Sequence, residues 1–141
     1  MELLARQSLT NMRAATTRYR DVTLEGELTA GRDLLRAAGI TADLPDSVDI
    51  VDPVHQELFG WVVREGLTNV VRHSRASSCA VRLTHDTVEI TDNGTGMAAP
   101  AGSGLSGLRE RIDASGGVLE VGPRRSGGWR LQVRLPPGHG K

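Results

Sequence analysis

Asp52-Pro53 opens the stretch that most limits how this chain can fold. An aspartate cap followed by proline at the first helical position is a strong helix start. Behind it Val54, Leu58, Trp61, Val62, Leu67, Val70 and Val71 recur at helical spacing. The pattern predicts a helix from 53 to about 73 with one wide apolar side, which needs a sheet or a second helix to cover it. The stretches beside it supply both. Residues 78–83 and 87–91 alternate with period two around a tight turn at His85-Asp86, and 118–121 and 129–135 form a second hairpin across a basic glycine turn at 123–128. Residues 40–44 alternate weakly, as an edge strand does. Helices are predicted over 2–20, over 24–38 with Thr23 as cap and Gly39 as stop, and over 105–114 with Gly116-Gly117 as stop. Residues 92–103 have no periodicity and read as a loop, and the tail from Pro136 reads as a frayed end. Hairpins outnumber crossover units, so the fold class is an α/β two-layer sandwich, a mixed and mostly antiparallel sheet with helices on one face.

Composition narrows the function. The 141 residues make one domain's length of chain, and 17 basic residues balance 17 acidic ones, so no charge excess points to nucleic acid. Tyr19, Phe59, Trp61 and Trp129 are the whole aromatic set, too few for stacking platforms along a single strand. No run approaches the ~20 apolar residues of a membrane span, and the first residues lack the apolar core of a secretory signal. The lone Cys79 excludes an internal disulfide and reads as a buried strand residue. These features suit the cytoplasm.

Glu65, Asn69 and His73 lie at i, i+4 and i+8, so one side of the long helix carries a carboxylate, an amide and an imidazole, with Arg72 beside them. A solvated helix face would have the same spacing. A cation and phosphate site is the other reading: an amide oxygen suits Mg2+, the arginine and histidine can reach phosphate, and the carboxylate can orient water or accept a proton. Asp92-Asn93-Gly94-Thr95-Gly96 follows directly on a strand, which places a carboxylate at its end and lets the backbone turn close to a planar ligand. A plain glycine turn is the alternative. Residues 102–107 match G-x-G-x-x-G, but ten residues of loop separate them from the strand and no crossover unit surrounds them, so the dinucleotide fingerprint is rejected. Lys141 is the only lysine, which excludes a lysine-based phosphate loop. Phosphate contacts are left to backbone N–H groups near Gly104 and Leu105, to arginines and to a metal. Gly107 is expected to permit close packing, and Arg109, Glu110 and Arg111 to be mainly solvated.

Three segments together resemble a family. Residues 64–73, Arg-Glu-Gly-Leu-Thr-Asn-Val-Val-Arg-His, resemble the asparagine box of nitrate-sensor-type histidine kinases, within the superfamily of gyrase, heat-shock-chaperone, histidine-kinase and mismatch-repair ATPases. Asp92-x-Gly-x-Gly96 is similar to the first glycine box, and residues 102–112, with Arg109-Glu110-Arg111, to the second. The likeness spans roughly residues 54–135. It implies a Bergerat-type ATP-binding fold with ATP and Mg2+. In it Asn69 ligates Mg2+, Glu65 is catalytic, Arg72 and His73 lie near phosphates, and Asp92 accepts from the adenine amino group. Gly94 and Gly96 line the base. Gly102, Gly104 and Leu105 begin the helix after a lid at 97–102.

Ser103 stands where histidine is usual, Trp129 where threonine is usual, and Gly66 at a usual alanine, at ~1 kcal/mol of helix cost. None of His55, His73, His85 and His139 sits as a phosphoacceptor on a dimerisation helix. The resemblance therefore implies three parts. Residues 1–38 are the end of a dimerisation helix and its linker, 39–136 the ATP-binding catalytic domain, and 137–141 a disordered tail. The domain would donate the γ-phosphoryl to a histidine outside this fragment for relay to a response regulator. Its partners would be the phosphoacceptor helix domain and that regulator, with no nucleic acid, and the fragment itself would be a monomer or weak dimer. A stand-alone anti-sigma-factor serine kinase of the same fold, and an interaction module that has lost nucleotide binding, are the competing expectations.

Overall fold

A computed structural model of the chain describes residues 22–95 and 105–137. The helix expected over 2–20 and the whole of the expected lid at 97–102 lie outside the described residues. Helix α1 spans Leu24–Ala37, and its first turn is closed by Thr23, whose hydroxyl accepts from the Gly26 N–H. It stops because Gly39 turns left-handed at φ 76°, which lets Ile40 N–H reach back to the Leu35 carbonyl. The long helix is composite. Asp52 caps a 3-10 turn over Pro53–His55, α2 runs over Gln56–Asn69, and a π turn over Val70–Ser74 widens its end before Arg75 breaks it at φ 57°. Helix α3 spans Leu105–Ala114 and ends on Gly116 at φ 80°.

The five strands are β1 Thr41–Asp43, β2 Ser78–Leu83, β3 Thr87–Asp92, β4 Val118–Pro123 and β5 Trp129–Arg134, in the sheet order β1-β2-β3-β5-β4. Only β1 and β2 are parallel, and the long helix joins them as one crossover unit. The other pairs are antiparallel, so the expected mixed, mostly antiparallel sheet under helices is what forms. Val81, Val88, Ile90 and Val133 are buried on its helix side. The other face is polar: Glu89 and Gln132 flank Arg130, which hydrogen-bonds to both.

Two helix glycines set the layer spacing. A Cβ on Gly66 would come within 2.4 Å of Ile90 Cδ1, and one on Gly31 within 2.2 Å of Leu67 Cδ1. The helix cost of Gly66 is thus offset by close seating of α2 on β3. Gly107, expected to allow close packing, meets nothing within 4 Å among the described residues; its helix face is open. Arg109, Glu110 and Arg111 are exposed, as expected, and the Arg111 guanidinium also lies over Trp61, 5.7 Å from the ring centroid, which ties α3 to α2. Nor does the chain fray at Pro136. The imidazole of His55, buried beside Phe59, hydrogen-bonds its carbonyl at 2.9 Å, and Leu135 N–H donates to Asp86 O.

Candidate functional site

The alternation that buries Val88 and Ile90 also places Asp92 on the apolar face of the sheet, at the last position of β3. A buried carboxylate needs donors. Its Oδ1 accepts from the Gly94 N–H at 2.7 Å, a tight turn made by its own loop. Gly94 is required here for a second reason, since a Cβ would lie 1.9 Å from the Ser74 carbonyl oxygen. The loop after β3 therefore presses on the end of the long helix. Gly66 over Ile90 and Ser74 against Gly94 fix that helix along β3, and Asn69 lies between those two contact points.

The Asn69 amide nitrogen is buried and has no hydrogen-bond partner among the described residues. A buried unpaired donor costs about 1–3 kcal/mol, so the position is one that a bound group would relieve. A phosphate oxygen satisfies the nitrogen, and a half-turn of the amide presents its oxygen to a hard cation instead. Among the described residues no three His, Cys, Asp or Glu side chains come together to hold a metal by themselves. A cation at Asn69 would take its remaining ligands from water and a polyphosphate. These donors fit Mg2+ bound with a nucleotide.

Burial pushes the Glu65 carboxyl above its ordinary value, and the nearby Arg72 guanidinium offsets part of that rise. The folded chain thus holds this proton more tightly than the unfolded one. Stability falls as pH rises from the ordinary carboxyl value through the raised one. Glu65→Gln, which cannot ionise, is expected to melt close to wild type near pH 4 and higher than wild type at pH 7. A variant that melts lower than wild type at pH 7 would contradict the assignment of Glu65 as a strained, functional carboxylate.

His73 is half-buried on the π turn and Arg72 is exposed, so the polar line bends with that turn but stays at the same end of the helix. Leu105 is the first residue of α3. Gly96, Gly102 and Gly104 lie outside the described residues. Cys79 pairs with Asp92 across the sheet. Burial, then the Asp92 charge, pushes its thiol up to about 12, so it is inert, as expected of a buried strand residue.

Several residues that hold the site were not singled out in the sequence. Asn93 accepts from the N–H groups of Ser77 and Ser78, both at 2.9 Å, and donates to Ser77 Oγ, which staples the loop to the start of β2. Ser74 is buried, donates to the Val70 carbonyl and accepts from Ala76 N–H, closing the π turn. Arg124 donates to the Asp92 carbonyl. Only the asparagine after Asp92, an ordinary turn residue, left a signal.

A carboxylate on the apolar side of a sheet, beneath a helix end that carries an amide, a guanidinium and an imidazole, defines a two-layer sandwich able to take a ligand planar at one end and anionic at the other. Residues 55–139 match the family described as Histidine kinase-, DNA gyrase B-, and HSP90-like ATPase. The chain belongs to this family, as an ATP-binding catalytic domain of the histidine-kinase kind, which bears out the reading of its motifs. Sensor histidine kinase YvfT of Bacillus subtilis (strain 168) is 33% identical over 129 residues, 86% of this chain and 35% of YvfT. Sensor histidine kinase LiaS of the same strain is 33% identical over 152 residues, 96% of this chain and 42% of LiaS. The blue-light activated histidine kinase of Erythrobacter litoralis EL346 superposes with a TM-score of 0.61 at 21% identity, over 84% of this chain and 43% of that one, and shares the fold. The chain thus spans about two-fifths or less of the curated relatives' length. No helix among the described residues is long and apolar enough to cross a membrane.

Proposed function

We propose that this domain binds ATP with Mg2+ and donates the γ-phosphoryl to a histidine outside the 141 residues, for relay to a response regulator. The observation that carries the reading is the pairing of a buried carboxylate, Asp92, with the buried amide nitrogen of Asn69, which has no hydrogen-bond partner among the described residues, at the matching ends of β3 and α2. Asp92 accepts from the adenine amino group, while Gly94 and Gly96 line the base. Asn69 would hold Mg2+, which would supply positive charge to the phosphates. Arg72 and His73 would contact the phosphates, with backbone N–H groups near Gly104 and Leu105, and Gly102, Gly104 and Leu105 would belong to the nucleotide site. Glu65, its carboxyl raised by burial, orients the acceptor imidazole or takes its proton.

We assign the parent protein to the nitrate-sensor type of sensor kinase, on the strength of Arg109-Glu110-Arg111 in the middle of α3, where Arg111 meets Trp61. Residues 1–38 then serve as the end of a dimerisation helix and linker, 39–136 as the catalytic domain, and 137–141 as a tail. The partner is a dimerisation domain bearing the acceptor histidine, in a cytoplasmic assembly. His55 does not serve as an acceptor, since its ring is buried on the Pro136 carbonyl.

The test is transfer in trans. The chain is incubated with γ-labelled ATP, Mg2+ and the histidine-bearing dimerisation domain of a matched sensor kinase. Label that is acid-labile and alkali-stable, and lost in Asn69→Ala, is the expected result. Acid-stable label on a serine of an anti-sigma antagonist, with none on histidine, would replace this reading with the serine-kinase one.

A further inference from the structure

We infer that Arg124 is a positioning residue for base recognition, fixing the orientation in which Asp92 reads the purine amino group; the inference rests on the nucleotide reading above. The sequence presents Arg124 only as part of a basic turn between β4 and β5. In the fold that turn doubles back on itself. Arg124 N–H donates to the Gly128 carbonyl at 2.9 Å and Gly127 N–H to the Arg124 carbonyl at 3.0 Å, with Gly127 and Gly128 at φ 96° and 95°. The result is a close approach to Asp92: a Cβ on Gly128 would lie 1.8 Å from the Asp92 carbonyl oxygen. From the same turn Arg124 Nη1 donates to that oxygen at 3.1 Å.

Asp92 is the last residue of the β3–β5 ladder, where it pairs with Trp129, so the peptide that follows it lies at the ladder's end. Two further bonds hold that peptide. Asn93 N–H reaches the Ser78 carbonyl at a long 3.3 Å, and Arg124 supplies a charge-assisted bond to the Asp92 carbonyl. Rotation of this peptide moves the Gly94 N–H, which is the donor that orients the Asp92 carboxylate. Arg124 thereby acts on the carboxylate through the main chain. Arg125, the next residue, is exposed.

Purine discrimination separates positioning from mere support of the fold. Affinities for ADP and inosine diphosphate, which carries a carbonyl in place of the amino group, are measured for the 141-residue chain and for Arg124→Ala, Arg124→Lys and Arg125→Ala, with a thermal melt of each. Wild type is expected to prefer ADP. Arg124→Ala should lose about tenfold of that preference, as expected for a charged hydrogen bond. Arg124→Lys, which retains a charged donor, should recover part of it, and Arg125→Ala should match wild type. If Arg124→Ala melts below the assay temperature, Arg124→Met, which keeps the aliphatic stem, gives the same readout. Equal weakening of both nucleotides, with the preference intact, overturns the inference alone. A wild-type chain that binds both nucleotides without preference overturns the Asp92 assignment and this inference with it, and one that binds neither overturns the nucleotide reading itself.

Discussion

Gly128→Ala is expected to destabilise the chain by about 3 kcal/mol or more and to lower its melting temperature by roughly 10 °C. Two effects add at this position. The residue sits at φ 95°, where a side chain strains the backbone, and its Cβ would lie 1.8 Å from the Asp92 carbonyl oxygen and 2.8 Å from Asn93 Cα. Those atoms are backbone at the end of a central strand, so no rotamer change relieves the overlap. Asp92 or the β4–β5 turn must shift, and either movement breaks the Arg124 bond. Gly122→Ala is the internal control: it lies in β4 and its Cβ would meet nothing within 4 Å. Its melting temperature should stay near wild type, within about 0.5 kcal/mol of stability. Equal melting of the two variants would show that the close approach at Gly128 carries no weight.

Asp92→Asn should weaken ADP binding by roughly 10- to 150-fold with little change in fold, the range expected for loss of a hydrogen bond to a charged group. The substitution is isosteric. The asparagine oxygen keeps the Gly94 N–H, so the turn after β3 survives, and the amide nitrogen then points where a carboxylate oxygen did. A donor now faces the adenine amino group, which is itself a donor. The same change should improve relative binding of inosine diphosphate, whose carbonyl accepts from the amide. Removal of the negative charge also takes away the smaller of the two effects that raise the Cys79 thiol. Burial still holds that thiol protonated, so no new reactivity is expected.

Much of this was legible because it follows from period and from turn chemistry. Val81, Leu83, Val88 and Ile90 alternate, and that alternation carries through to Asp92, so the sequence already placed a carboxylate at a strand end. Asp52-Pro53 and Thr23 fixed two helix starts, and Gly39 and Gly116 two stops, because each performs a local task that needs no partner far along the chain. What escaped was tertiary. The parallel pairing of β1 with β2 joins residues far apart in sequence across a three-residue strand, too short to show a period. The π turn over Val70–Ser74 leaves no compositional mark, and it depends on Ser74 bonding back to Val70 and on Gly94 coming to rest against it. Gly66 looked like a costly residue inside a helix until Ile90 was found beneath it. Arg111 is exposed as it looked, but its contact with Trp61, fifty positions earlier in the chain, left no local mark.

The polar line on the long helix gains its meaning from these distant contacts. Glu65 and Asn69 would be a solvated pair on an isolated helix. Seated on β3 and blocked at the far end by Gly94, Asn69 has an amide nitrogen with no described partner and Glu65 holds its proton more tightly than an exposed carboxyl would. Both conditions cost stability in the free domain.

Calorimetric titration of the 141-residue chain with ATP and Mg2+, alongside Asp92→Asn, tests the nucleotide assignment most directly. Saturable one-site binding to wild type, weakened in the variant by roughly 10-fold or more while both proteins melt alike, is the predicted result. Absence of measurable heat at millimolar ATP, or equal binding by wild type and Asp92→Asn, would contradict it.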